Sequence, residues 1–129
     1  WDGISKRFAA VVEARQPDLI VGWSFGGLFA NEHAEVADVI TLGSPFQRAL
    51  APWRHVPGCS ILKAAEKQAA KPNVFVVEGT RDLIVPVSGQ AALVVAANHF
   101  GLVVRAQVVE TIYTSWTQWK HSNNEGVRR

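Results

Sequence analysis

Apolar positions fall along this chain in blocks of two different periods. In residues 2–15, Ile4, Phe8, Val11 and Val12 lie at i, i+4, i+7 and i+8, which is one stripe of an amphipathic helix. Gln16-Pro17 closes that helix, because proline disfavours the helical conformation at the residue before it. "DLIVG" (18–22), "ADVITLG" (37–43) and "NVFVVEG" (73–79) are short apolar runs without alternation, the pattern of strands buried on both faces. "AALVVA" (91–96) is a fourth, shorter strand. Ser24 to about Glu35 is expected to be a helix, and "ILKAAEKQAA" (61–70) carries strong helix formers. In 101–119 the β-branched residues favour strand. Leu102, Ala106, Val109, Ile112 or Tyr113, and Trp116 instead fit a helical stripe. Helix is the reading adopted, with a frayed polar tail from Lys120.

Strands alternating with helices imply an α/β fold with a parallel sheet covered on both faces. In such sheets the ligand site lies beyond the carboxyl ends of the strands. The residues just after each strand are therefore the ones to inspect.

Composition narrows the field. The 129 residues suffice for one domain with a modest core, and 48% are hydrophobic against 19% charged. The net charge is +2 and the Lys and Arg residues are scattered, so no basic stripe suggests a nucleic-acid partner. No apolar run approaches the roughly 18 residues of a membrane span. The single cysteine, Cys59, has no partner for an internal disulfide. The chain opens on Trp1 and has no methionine. The expectation is a fragment whose N-terminal part is absent; any leader would belong to that part, so cytoplasmic and secreted readings both stay open.

The first strand runs into Gly22-Trp23-Ser24-Phe25-Gly26. A serine hydroxyl is a poor nucleophile until a base can reach it. A sharp strand-to-helix turn pushes its Oγ out above the sheet, and the crowding there calls for small residues two before and two after the serine. Gly22 and Gly26 meet that need, and the backbone N–H of Phe25 would face an oxyanion. The plainer alternative is a glycine-rich connection with a serine N-cap.

After the third strand, "EGTRDLIVP" (78–86) places Asp82 just past the strand end, followed by an apolar clasp. An aspartate there can accept from a histidine Nδ1–H. Glu78, within the strand, is the weaker rival. Of the four histidines, His33 lies on the elbow helix and His55 precedes the acid, the wrong order for this architecture. His99 and His121 both satisfy the order serine, acid, histidine. His99, at a strand-to-helix junction, is the first choice, and His121 stays open as the alternative.

On these residues the chain resembles the C-terminal portion of an α/β-hydrolase, near the bacterial lipase and esterase branch. "GWSFGGLFA" resembles the nucleophile elbow, "VITLGSPFQ" (39–47) the next strand and its exit, and "GTRDLIVP" the acid loop. "NHFGLVV" resembles the histidine phrase and "VVETI" (108–112) the helix after it. The resemblance implies a serine hydrolase with Ser24 as nucleophile, Asp82 as acid, His99 as base and Phe25 N–H as one oxyanion donor. No metal or cofactor is implied, and the partner is a small-molecule ester or lipid. Relatives often carry histidine before the serine; Trp23 is read here as a packing or pocket-wall residue. Residues 46–72, with Phe46, Leu50, Trp53, Val56, Ile61 and Leu62, form either a lid or acyl-pocket wall over the site, or a surface excursion covering the sheet. Ser44, followed by Pro45, is read as an exposed loop serine. The family's second oxyanion loop lies upstream of the elbow, so the fragment is expected to be poorly active and prone to associate. The rivals are a thioesterase or acyltransferase of the same fold, a non-catalytic binding or scaffold protein, and a chain that does not fold alone.

Overall fold

Four apolar runs become four parallel strands, and their order in the sheet follows the chain. In a computed structural model describing residues 1–47 and 67–127, these are β1 (Leu19–Trp23), β2 (Asp38–Leu42), β3 (Val74–Gly79) and β4 (Leu93–Val95). They pair β1-β2-β3-β4, with Leu19 opposite Asp38, Val39 opposite Val74 and Val77 opposite Leu93. Helices α1 (Asp2–Arg15), α2 (Gly26–Glu32), α3 (Gly101–Val104) and α4 (Ala106–Val127) complete the described elements. Each strand lies within a residue or two of its predicted bounds.

Alternation within the strands divides the apolar residues between two cores. Ile20, Val39, Val74 and Val76 face one way and pack with Val12 of α1 and Leu28 of α2. Ile40, Leu42, Phe75, Val77 and Val95 face the other way, against Leu102 of α3 and Ile112 and Trp116 of α4. Among the described residues β1 pairs only with β2, and Val21 in its middle is 54% exposed.

The predicted stripe on α1 is narrower than its sequence suggests. Val12 is buried and Phe8 packs against the rings of Phe29 and His33, whereas Ile4 and Val11 are exposed. Trp1 stacks on Phe29 with centroids 4.3 Å apart, and Ser5 Oγ donates to Glu32 at 2.7 Å. The helix ends on Gln16 in the left-handed region (φ 44°), whose N–H bonds the Val12 carbonyl.

The helical reading of 101–119 holds, with one break. Arg105 is extended (ψ 112°) between α3 and α4, which resets the helical phase. On α4 Ile112 and Trp116 are buried, with Val108 and Trp119 half-buried against the same core, while Val109 and Tyr113 are exposed. The tail predicted to fray from Lys120 is helical to Val127. Lys120 pairs with Asp38 and lies 5.4 Å from the Trp116 ring centroid.

Of the predicted helix 61–70, residues 61–66 lie outside the described residues; Lys67 is helical and 68–70 are not. The returning strand is stitched to α2: Asn31 donates to the Ala69 carbonyl (3.1 Å) and accepts from Lys71 N–H (2.9 Å). Phe46 is buried in the α2-side core. Leu50, Trp53, Val56, Ile61 and Leu62 lie outside the described residues, as does His55. Among the described residues no helix is long and apolar enough to cross a membrane.

Candidate active site

The carboxyl ends of β1, β2, β3 and β4 carry Ser24, Gly43, Asp82 and His99 in turn. Ser24 N–H bonds the Leu42 carbonyl at 2.9 Å, extending the β1–β2 ladder by one residue. The chain then reverses, because Ser24 adopts φ 53° and Gly27 N–H bonds the Ser24 carbonyl at 3.1 Å. A non-glycine residue held in this left-handed region costs about 1–2 kcal/mol. Such strain gathers at functional sites. The Phe25 N–H makes no hydrogen bond among the described residues.

The glycines around the serine divide the work differently from the predicted pattern. A Cβ on Gly22 would stand 2.5 Å from Gly27 Cα and 2.7 Å from the Gly26 carbonyl oxygen. A Cβ on Gly27 would meet Ser44 Oγ at 1.8 Å, whereas one on Gly26 would meet nothing within 4 Å. The close crossing is thus Gly22 on Gly27. The glycine two after the serine is not the one that makes room. Ser44 is not an exposed loop serine: it is buried beneath α2, and neither its Oγ nor Thr41 Oγ1 has a hydrogen-bond partner among the described residues.

Asp82 is buried in the loop after β3. Its Oδ1 accepts from Ile84 N–H (2.9 Å) and Val85 N–H (2.8 Å), and its Oδ2 bonds His99 Nδ1 at 2.7 Å. A carboxylate is acceptor only, so the shared proton sits on Nδ1 and Nε2 is left to accept. The two side chains are 0% and 6% exposed respectively, so water does little to weaken the bond. The expected apolar clasp is partial: Val85 is buried, Leu83 is 90% exposed. Backbone bonds bind the two loops together, Thr80 N–H to Val95 and Arg81 N–H to Ala97. From β2's exit, Gly43 (φ 54°) closes the arrangement, since a Cβ there would lie 2.9 Å from Asp82 Oδ2 and 3.2 Å from His99 Nδ1.

Three residues weighed with these stand elsewhere. Glu78 is buried with its carboxylate turned to Ser88, accepting from its N–H at 3.0 Å and from its hydroxyl. Ser88→Ala is expected to cost about 1–3 kcal/mol by chemical denaturation, because a buried acceptor loses its hydroxyl donor. His33 packs on Phe8, its buried Nε2 without a hydrogen-bond partner among the described residues. His121 is exposed on α4.

The structure thus brings Asp82 and His99 together. No hydrogen bond joins Ser24 Oγ to the His99 ring among the described residues. Trp23, read from sequence as a packing residue, also makes a polar contact. Its Nε1 donates to the His99 carbonyl at 3.0 Å, and the two rings lie 5.1 Å apart. Among the described residues no group of three His, Cys, Asp or Glu side chains gathers to hold a metal ion.

No family model matches the sequence, and no curated protein matches it. Among solved structures, the chain is similar to a mutant meta-cleavage product hydrolase (CumD), at 15% identity and a TM-score of 0.56. The match covers 91% of this chain and 72% of that one. With the parallel four-stranded sheet flanked by helices, this likeness shows an α/β-hydrolase fold.

Proposed function

We propose that this chain is a serine hydrolase that cleaves carboxylic esters through an acyl-enzyme. Ser24 is the nucleophile, His99 the general base and acid, Asp82 the carboxylate that orients it, and Phe25 N–H an oxyanion donor. The observation that supports this reading best is the buried 2.7 Å bond between His99 Nδ1 and Asp82 Oδ2. The pair lies beyond the carboxyl ends of β3 and β4, on the same end of the sheet at which β1 delivers a serine held at φ 53°.

The reaction follows from these roles. Ser24 Oγ attacks the ester carbonyl carbon while His99 Nε2 takes its proton. The charge on the carbonyl oxygen is met by Phe25 N–H. The carbon–oxygen bond then breaks, and the alcohol leaves with the proton from Nε2. Water attacks the acyl-enzyme, with His99 again accepting a proton, and Ser24 is regenerated as the acid departs. Asp82 holds Nδ1–H throughout and stabilises the imidazolium between steps. The substrate class is a small-molecule ester or a lipid, and the chemistry requires no metal or cofactor.

A second reading takes its support from the structural neighbour, whose described activity is hydrolysis of a meta-cleavage product. It uses the same fold, and a panel of p-nitrophenyl esters, acyl thioesters and a meta-cleavage product ranks the readings. The primary test is covalent. A fluorophosphonate probe is expected to label the chain at Ser24, located by peptide mass spectrometry. In Ser24→Ala, labelling is expected to fall to background, a loss of at least about 10³-fold in rate. Unchanged labelling in that variant rejects Ser24. A folded wild-type chain that takes no label points to a binding or scaffold role.

A further inference from the structure

We infer that Trp23 is a positioning residue for His99, tying the residue beside the elbow serine to the loop that carries the imidazole. Trp23 is the last residue of β1 and immediately precedes Ser24. Its indole Nε1–H donates to the His99 carbonyl at 3.0 Å, across 76 residues of chain. The indole ring also lies 5.1 Å from the imidazole and 5.5 Å from the Phe100 ring.

The His99 loop needs such a tie. It runs between a strand of three residues and a helix of four, and Phe100 beside it is 58% exposed. The Asp82 bond fixes one edge of the ring but leaves the backbone of residue 99 to be held by something else. The helix that follows does not hold it: Leu102 N–H bonds the Asn98 carbonyl, and Val103 and Val104 N–H both bond that of Phe100. The His99 carbonyl is therefore passed over by the backbone, and the indole N–H is its donor among the described residues. A buried carbonyl without a partner is costly, so the contact is strongly preferred over a wandering loop. Its consequence is directional. Any shift of β1's end carries the serine and, through the indole, the histidine backbone with it, so their separation is conserved as the site moves. Pure pocket-wall packing would leave the N–H dispensable.

The effect on rate rests on the hydrolase reading; the effect on geometry does not. Trp23→Phe keeps an aromatic face and removes the donor. It is expected to lower kcat for a p-nitrophenyl ester about tenfold with KM changed less than twofold, since small misplacements act on the reacting geometry. It is also expected to broaden or abolish the low-field proton resonance of the His99 Nδ1–Asp82 bond, of which Trp23 is not itself a member. Far-UV circular dichroism checks that the fold is kept. An unchanged kcat together with an unchanged resonance overturns the inference. If wild type neither hydrolyses esters nor takes a fluorophosphonate, the hydrolase reading fails and the resonance alone decides the role of Trp23. If Trp23→Phe does not fold, benzothienylalanine at the same position keeps the ring shape without the N–H, and the same two readouts apply.

Discussion

On the proposed mechanism, Asp82→Asn is expected to lower kcat/KM for ester hydrolysis by about 10⁴-fold, the size seen when the acid of a serine-histidine-aspartate triad becomes an amide. The reason lies in how the carboxylate is shared. One oxygen already accepts two backbone N–H groups, from Ile84 and Val85 at 2.9 and 2.8 Å. An asparagine has one oxygen and one NH₂ group. Keeping its oxygen toward the two donors turns the NH₂ toward His99. Nδ1 must then accept, the ring proton moves to Nε2, and the nitrogen that should take the serine proton is blocked. Turning the amide over sets its NH₂ against two N–H groups, which is worse. The side chain is nearly isosteric, so the fold is expected to survive. Initial rates on a p-nitrophenyl ester, taken beside a thermal melt, check both halves. A folded variant within tenfold of wild type rules out the proposed part for Asp82.

The second large effect is on stability. Gly22→Ala is expected to lose at least about 4 kcal/mol, whereas Gly26→Ala is expected to be neutral or stabilising by up to about 1 kcal/mol. The added methyl at residue 22 would sit 2.5–2.7 Å from Gly27 Cα, Gly27 N and the Gly26 carbonyl oxygen. All three are backbone atoms of the first turn of α2, so relief requires moving the whole turn off the sheet. At residue 26 the methyl meets nothing within 4 Å, and alanine suits a helix better than glycine. Urea denaturation of the two variants separates them. Equal stabilities would show that the crowding at the elbow lies elsewhere.

That contrast marks how far the site could be read from residues alone. The strand ends were legible because short apolar runs such as Val74 to Val77 have the pattern of strands inside a parallel sheet; β1 follows it in sequence, although Val21 at its middle is exposed. Position after a strand then singled out Ser24, Asp82 and His99, and the structure places Asp82 and His99 in contact. Which glycine makes room was not legible, because Gly26 and Gly27 are adjacent and only the crossing angle of α2 over β1 distinguishes them. On α4 Ile112 and Trp116 turn inward as the stripe requires, whereas Ala106 and Val109 are exposed, because the extended residue Arg105 interrupts the single helix that the stripe assumes. The burial of Ser44 and the indole contact to His99 depend on partners 17 and 76 residues away, and no local pattern announces them.

The placement of the four strand exits side by side has a further consequence. Neighbouring strands are spaced about 4.8 Å apart, so the breadth of the site is a multiple of that pitch, set by the ladder and indifferent to what joins one strand to the next. Crossovers can be lengthened, shortened or exchanged at little entropic cost without retuning the distances among the exits. Selectivity for one molecule over another can therefore be rewritten in the connections while the row of exits beneath stays as it is.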